Sequence, residues 1–236
     1  MKKFIIVDFR INKEEKGNLK KLGYETLSCP PSESLYTAVC GHPDMLLHFL
    51  KEDTLVIHKD APLNFINFLK KINIKVILSK NSLEKSYPYN IGLNAVNIGD
   101  IFVHYTKYTD PAIIHNIYDK KILNVKQGYT KCSTAIINSN AFITSDPSIK
   151  NALVKESKDV LFLPPGNIIL PGLNYGFIGG TCGLLEKGIL AFYGDLNCYK
   201  YGKEVMSFLE KHNVKPIFLR KGPLVDRGSM FSGLVG

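Results

Sequence analysis

The sequence predicts an α/β fold in which five similar units close into a ring. A short apolar strand follows each of five polar turn residues, which lie 50, 47, 40 and 48 residues apart: Lys3, Asp53, Asp100, Asn140 and Gly188. Each strand is followed by an acidic residue and a stretch with helical apolar spacing. The first and last predicted strands lack a hairpin partner nearby in the chain. We therefore expect them to pair with each other and to leave no exposed edge between the chain ends.

Each unit is predicted to hold a hairpin, a helix and a returning strand. The strands after the turn residues are residues 4–7, 54–57, 101–103, 141–143 and 189–192. The returning strands are residues 24–27, 75–78, 122–125, 160–163 and 216–219. The strands that enter the next hairpin are residues 45–50, 93–98, 134–137, 183–185 and 230–235.

Residues 131–147 show the pattern most clearly. A strand leads to a tight polar turn at residues 138–140, and a second strand follows it. Asp146 is a typical helix N-cap, and Pro147 suits the first helical position because its fixed φ matches the helix. Asp110 with Pro111 repeats this arrangement, so we interpret both acids as helix caps without a chemical role.

Composition indicates a protein with a packed core, since 45% of its 236 residues are hydrophobic and 22% are charged. No apolar run approaches the roughly 20 residues that span a bilayer, and Asp8 interrupts the first strand too early for a signal peptide. We expect a cytoplasmic protein without membrane association. The five cysteines contain no C-x-x-C pair, which favours reduced thiols over a disulfide framework or a metal site. No cofactor is predicted.

The net charge of +9 favours anionic partners. RNA and the ribosome are possible partners on this ground. The lysines are spread along the chain in pairs such as Lys70 and Lys71, and no nucleic-acid motif accompanies them. The same charge is equally consistent with solvated faces.

The number, order and closure of these units resemble the pentein fold of the guanidino-group-modifying enzymes. The resemblance covers essentially the whole chain, and within that fold the chain looks most like an uncharacterised bacterial family. It implies a five-bladed α/β propeller of pseudo-symmetric ββαβ units around a central channel, closed by pairing of the N- and C-terminal strands. We expect residues 1–236 to form this single domain. An open doubly wound sheet is the alternative, but it would alternate strands and helices singly.

In such a ring the five channel-entering segments begin around one mouth of the channel, and all five are polar. They are Gly41-His42-Pro43-Asp44, Asn90-Ile91-Gly92-Leu93-Asn94, Lys131-Cys132-Ser133, Gly180-Thr181-Cys182-Gly183 and Asp226-Arg227-Gly228-Ser229. This predicts a polar ligand pocket at the mouth. Ends of loops are commonly polar without any ligand, which is the alternative interpretation.

The resemblance implies specific roles. Gly41-His42-Pro43-Asp44 is similar to the Gly-His-x-Asp element of guanidino-modifying enzymes, so His42 is a candidate acid/base, although it lies in a different unit from the family's usual histidine. Asp44 and Asp226 would orient His42 or hold a guanidinium group. The family's nucleophilic cysteine lies near the C-terminus, where this chain has Phe231 instead.

Cys132 or Cys182 would therefore have to serve as the nucleophile from another unit. Lys131 next to Cys132, or open backbone amides around Cys182, could activate the thiol. The residue type alone favours a small buried apolar side chain over a nucleophile for either thiol. Ligand contacts are predicted for Asn94, Lys131, Thr181, Arg227 and Ser229.

Two functions follow from these residues. The first is a small-molecule hydrolase or transferase acting on a guanidino or amide group at the channel mouth. The second is a non-catalytic binding protein, like the ribosome anti-association factor that shares this fold. The histidine, acids and thiols favour an enzyme, whereas the positive charge and the missing C-terminal cysteine favour a binding protein.

Overall fold

The structure is a computed structural model that describes residues 2–235. It contains five three-stranded sheets, each with a hairpin pair and a parallel returning strand. The strands are β1 (Lys2–Asp8), β2 (Tyr24–Cys29), β3 (Leu47–Lys51), β4 (Thr54–Ile57), β5 (Lys75–Leu78), β6 (Val96–Ile98), β7 (Ile101–His104), β8 (Lys121–Asn124), β9 (Thr134–Asn138), β10 (Ala141–Thr144), β11 (Asp159–Phe162), β12 (Cys182–Glu186), β13 (Ile189–Phe192), β14 (Lys215–Phe218) and β15 (Phe231–Val235).

The helices are α1 (Lys13–Lys21), α2 (Pro43–Leu46), α3 (Leu63–Lys71), α4 (Pro111–Ile114), α5 (Pro147–Lys155) and α6 (Gly202–Lys211). Asp146 caps α5 by accepting a hydrogen bond from the Ile149 amide, as predicted, and Pro147 is the first residue of that helix. None of the helices within residues 2–235 has the length and apolarity needed to cross a bilayer.

The chain ends close the ring. β15 pairs antiparallel with β1, and β2 lies parallel on the other side of β1. Residues from β3, β6, β9, β12 and β15 line one internal cavity, so these five strands surround a common channel. The predicted pentein fold is confirmed.

The middle strand of each sheet supplies the core. Leu55, Val56 and Ile57 of β4 are all buried, as are Phe102 of β7 and Phe142 of β10. A strand that is covered on both faces reads as a continuous apolar run, which explains why these strands were recognisable in the sequence.

Three returning strands begin one residue earlier than predicted. In each, the first residue donates a backbone hydrogen bond to the carbonyl of the preceding hairpin turn: Lys121 to Asp100, Asp159 to Asn140 and Lys215 to Gly188. This backbone contact fixes the start of the strand, and the side-chain pattern does not mark it.

Three channel-entering strands begin later than predicted, β15 by one residue and β3 and β6 by more. Residues 45 and 46 of the predicted strand 45–50 belong to α2, because Pro43 begins a helical turn and the Met45 amide donates to the His42 carbonyl. In the predicted strand 93–98 only β6 is extended, since the Asn94 amide bonds the Ile91 carbonyl in a turn. Both corrections place polar residues on turns.

Candidate functional site

A cavity of about 250 Å³, here called the mouth cavity, lies where the channel strands begin. His42, Cys132 and Asp226 form its polar part. The other walls are apolar and aromatic, from Tyr36, Val39, Met45, Tyr129, Leu170, Leu173, Tyr175 and Phe177 beside Asn174. The cavity therefore combines an apolar wall with one concentrated group of reactive side chains.

Four of the predicted catalytic residues converge in this part of the molecule. An imidazole nitrogen of His42, a carboxylate oxygen of Asp44 and the Sγ atom of Cys132 lie within 4.8 Å of one another, and all three residues are buried. Asp226 joins them, with its Oδ1 atom 3.7 Å from His42 Nδ1. Within residues 2–235, neither ring nitrogen of His42 nor Asp44 Oδ1 has a hydrogen-bond partner. Of these two residues His42 lines the mouth cavity, so its ring nitrogens can bond a ligand that enters it.

The turn that contains Ser229 holds the two acids in place. Asp44 Oδ2 accepts hydrogen bonds from the Ser229 amide and hydroxyl, each 2.7 Å long. Asp226 Oδ1 accepts from the Gly228 amide at 3.0 Å, and its Oδ2 accepts from the Phe177 amide at 2.8 Å. The C-terminal turn thus connects the acid of α2 with the loop that covers the cavity.

Glycine is required twice in this turn region. Gly228 has a φ of +72°, and a Cβ there would lie 2.6 Å from His42 Cβ. A Cβ at Gly180 would collide with Asp226 Oδ1. The glycine-rich segment before β12 forms a short 3₁₀ turn at Gly179–Thr181.

Asn94 positions Cys132. Its side-chain oxygen accepts from the Lys131 and Cys132 amides at 2.8 and 3.2 Å, and its Nδ2 lies 3.0 Å from Cys132 Sγ and from the Asp44 carbonyl oxygen. Asn94 is fully buried. It therefore supports the nucleophile candidate, whereas the sequence predicted a contact with the ligand.

Burial and acidic neighbours set the protonation of this cluster. Burial raises the pKa of Cys132 well above that of a free thiol, and Asp44 and Asp226 add to this effect. Burial also raises the pKa of Asp226, which His42 partly offsets. The cluster thus holds a neutral thiol beside two acids, an environment that a cationic group would stabilise.

A second cavity of about 390 Å³, here called the channel cavity, lies along the channel strands toward their far ends. Cys182 and Lys131 line this cavity and not the mouth cavity. The Cys182 thiol points to the Ile178 carbonyl oxygen at 3.5 Å, and burial raises its pKa to about 12. Cys182 therefore lies apart from the His42 cluster.

The remaining predicted ligand contacts have structural partners. Thr181 donates its hydroxyl to the Ile178 carbonyl oxygen at 2.7 Å. Arg227 pairs with buried Glu15 at 3.2 Å. Neither residue lines the mouth cavity or the channel cavity. Lys131 Nζ donates to Ser229 Oγ at 2.8 Å, between the two cavities.

The loop that covers the mouth cavity was recognised only in general terms. Its Pro164-Pro165-Gly166 and Leu170-Pro171-Gly172 segments suggest a lid or a partner surface. The structure brings Leu170, Tyr175 and Phe177 into the cavity wall. Tyr129, on a different loop, joins them, and no local sequence signal indicates that long-range contact.

Comparison with known proteins supplies a family. The profile of a family described as "Family of unknown function (DUF6873)" matches residues 6–231. The chain belongs to this family. No curated protein sequence matches it.

Solved structures of similar fold are guanidino-group-modifying enzymes. SxtG, an amidinotransferase from Microseira wollei, aligns with a TM-score of 0.58 at 11% identity over 91% of this chain and 87% of its own. A Cys-to-Ser variant of C. jejuni agmatine deiminase with substrate bound aligns at 0.55 and 13% identity over 99% and 93%. A Cys-to-Ser variant of DDAH from Pseudomonas aeruginosa, complexed with citrulline, aligns at 0.51 and 10% identity over 92% of both chains. At these identities the likeness establishes the fold.

Proposed function

We propose that this protein is a thiol-dependent hydrolase or transferase that acts on a guanidinium or amidine group in the mouth cavity. The observation that carries the proposal is the cluster of His42, Asp44 and Cys132. One side-chain nitrogen, oxygen or sulfur atom of each residue lies within 4.8 Å of the other two. A thiol beside an imidazole is the usual arrangement for nucleophilic attack on an electrophilic carbon. The fold neighbours, which include an amidinotransferase and an agmatine deiminase, agree with this reaction class.

The charge of the cluster favours a cationic substrate. Asp226 is a buried acid in the cavity wall, and Asp44, also buried, lies beside His42 and Cys132 with no hydrogen-bond partner for its Oδ1 atom within residues 2–235. A planar guanidinium can bond carboxylates through several N–H groups at once. Tyr36, Tyr129 and Phe177 offer aromatic faces that attract the same cation.

The reaction balances with the groups present. Cys132 Sγ forms a bond to the central carbon of the guanidinium, and one C–N bond of that carbon breaks. The thiol proton passes through His42 to the departing amine or ammonia, and a covalent S-linked amidinium cation remains. Water or an acceptor amine then forms a C–O or C–N bond to the same carbon, and the C–S bond breaks to release the product. One proton of the attacking group returns to the Cys132 sulfur, and a second passes to solvent or to the released amine.

Substrate binding itself would activate the thiol. In the free protein, burial and the two acids hold Cys132 in its neutral form. A bound cation neutralises those acids and stabilises the developing thiolate. The proposed nucleophile thus becomes reactive mainly when a cationic substrate is present.

Turnover assays test the proposal. Purified full-length protein would be incubated with agmatine, arginine and dimethylarginine, and ammonia, urea and citrulline-type products would be followed by mass spectrometry. We expect turnover of at least one compound, with kcat/KM falling about a thousandfold or more in Cys132→Ser. Cys182→Ala, the matched control, should retain activity within about twofold. Turnover that survives Cys132→Ser, or the absence of any turnover or adduct on Cys132, would overturn the proposal.

The same three donors favour a second candidate, a metal-dependent hydrolase. One thiol, one imidazole and one carboxylate around an open position are a typical donor set for catalytic zinc. No metal site was expected because the cysteines show no zinc spacing, and a buried cluster that joins His42 and Asp44 to a cysteine of a distant segment carries no such spacing. Zinc that copurifies in stoichiometric amount and is required for turnover would favour this candidate over the thiol mechanism.

The non-catalytic alternative also remains a proposal. Its support is the net charge of +9. If it is correct, the protein should sediment with ribosomes or bind RNA with an affinity that falls steeply as salt increases.

A further inference from the structure

The channel cavity is separate from the mouth cavity and lies inside the ring. Its walls come from all five channel strands and are largely apolar, with Phe49, Leu50, Ile136, Leu184 and Phe231 among them. Exposed Lys51 and Glu52 lie at the end of β3, where the cavity meets solvent. The cavity volume of about 390 Å³ is within the range of small-molecule sites.

Its charge is opposite to that of the mouth cavity. Lys51, Lys120 and Lys131 contribute three ammonium groups to the lining, against the single carboxylate of Glu52. Lys131 is the deepest of these, with only 8% of its surface exposed. Lys120 is partly engaged by the Gly99 carbonyl oxygen at 2.6 Å.

The Lys131 ammonium has an incomplete set of partners. Its hydrogen bond to Ser229 Oγ is 2.8 Å long, and its nitrogen lies 5.6 Å from the centre of the Phe231 ring. No ion pair within residues 2–235 includes it. A buried ammonium is costly unless an anion pairs with it, so this position favours a negatively charged ligand.

His48 supplies a second, independent indication of a ligand. It lines the same cavity, and only 3% of its surface is exposed. Its Nε2 atom has no hydrogen-bond partner within residues 2–235. An unsatisfied polar atom costs free energy in an apolar wall. A ligand that fills the cavity and carries a polar group could satisfy it.

We propose that the channel cavity binds an organic monocarboxylate with an apolar body, whose carboxylate pairs with Lys131. One buried ammonium matches one monoanion, whereas phosphate groups are usually held by several amides or arginines. The apolar walls accommodate a hydrocarbon chain or ring. Lys51 and Lys120 attract the anion toward the opening. This site is independent of the reaction proposed for the mouth cavity.

Three probes of equal length test the charge preference. Full-length protein would be titrated by calorimetry with hexanoate, 1-hexanol and hexylammonium. We expect hexanoate to bind at least tenfold more tightly than 1-hexanol and hexylammonium to bind most weakly. Equal affinities for the three probes, or a preference for hexylammonium, would overturn the proposal.

Variants locate the site. Lys131→Met should abolish the preference for hexanoate over 1-hexanol, whereas Lys155→Met, which removes an exposed lysine of α5, should preserve it. If Lys131→Met does not fold, Ile136→Trp narrows the cavity while keeping the ammonium, and it should weaken hexanoate binding at least tenfold. Hexanoate binding that is unchanged in the folded variants would show that the ligand binds elsewhere and would contradict the proposal.

Discussion

The mouth cavity and the channel cavity differ in charge although consecutive residues of the chain line them. The mouth cavity combines Asp226, His42 and Cys132 with aromatic walls. The channel cavity combines three lysines with aliphatic and phenylalanine side chains. The boundary between them is thin, because Ser229 Oγ bonds both Lys131 Nζ and Asp44 Oδ2.

Neighbouring residues explain how one segment serves both cavities. Lys131 lines the channel cavity, and Cys132, the next residue, lines the mouth cavity. Both residues lie in the turn that precedes β9, and the Asn94 side chain accepts a hydrogen bond from the backbone amide of each. Two consecutive residues of one turn thus supply a basic group to one cavity and a thiol to the other.

Removing the Asp44 carboxylate, which lies at the boundary between the two cavities, should have the largest effect on stability. Asp44→Ala leaves the buried Ser229 amide and hydroxyl without the carboxylate that accepts a hydrogen bond from each, so we expect a loss of about 3–5 kcal/mol in the free energy of unfolding. Ser229→Ala, the matched variant, removes only the hydroxyl and should cost about 1 kcal/mol. Denaturant unfolding measures both. Equal losses in the two variants would mean that Asp44 does not organise the boundary.

An added Cβ should cost more stability at Gly228, which packs against His42 of the mouth cavity, than at a glycine in open space. Gly228→Ala introduces a strained φ and a Cβ against His42, and we expect a cost of about 2–4 kcal/mol. Gly166→Ala is the control, because its φ is +100° but open space surrounds it, so only the backbone strain of about 1 kcal/mol remains. A similar cost at both glycines would show that contact with His42 is unimportant.

The two cavities should respond to pH with opposite signs. Burial lowers the pKa of His48 to about 3, and His104 and two lysines add to this effect. The neutral imidazole therefore contributes fully to stability above about pH 6.5. Between that pH and about pH 3, the free energy of unfolding falls by about 1.4 kcal/mol for each unit by which the pH decreases. His48→Phe should reduce the slope of stability against pH in that range, as measured by unfolding at several pH values. An unchanged slope would contradict the assignment.

Asp226 should show the reverse dependence. Its pKa is raised in the folded protein, so its contribution is favourable below the usual carboxyl pKa of about 3.9 and is lost as the pH rises through the folded value. Asp226→Asn should therefore gain thermal stability relative to the wild type as the pH increases from 4 to 7. A gain that is largest at the acidic end would contradict this sign.

The sequence revealed the fold more fully than the site. Strands such as β4 and β13 were located at their observed bounds because each is a continuous apolar run after a polar turn. Closure by β1 and β15 followed from the count of strands. These features depend on local pattern and order alone.

The site depends on contacts that local pattern does not contain. His42, Asp44 and Cys132 were each named, but the choice between Cys132 and Cys182 required the direction of each thiol. Asn94, Thr181 and Arg227 were expected to contact a ligand because their segments are polar, yet Asn94 and Arg227 bond residues in distant segments and Thr181 bonds the carbonyl of its own turn. The channel cavity was missed because Lys131, its most buried lysine, lies within a segment that the sequence analysis assigned to the mouth of the channel.

A series of alkylating agents that differ only in charge tests the central contrast most directly. Chloroacetamidine, chloroacetamide and chloroacetate carry a positive, no and a negative charge, and peptide mass spectrometry gives the rate at Cys132 relative to exposed Cys198 in the same sample. The account predicts that this ratio falls in the order amidine, amide, acetate, because Asp44 and Asp226 attract the cation. A ratio that is equal for the three reagents, or highest for chloroacetate, would contradict an acidic thiol site at the channel mouth.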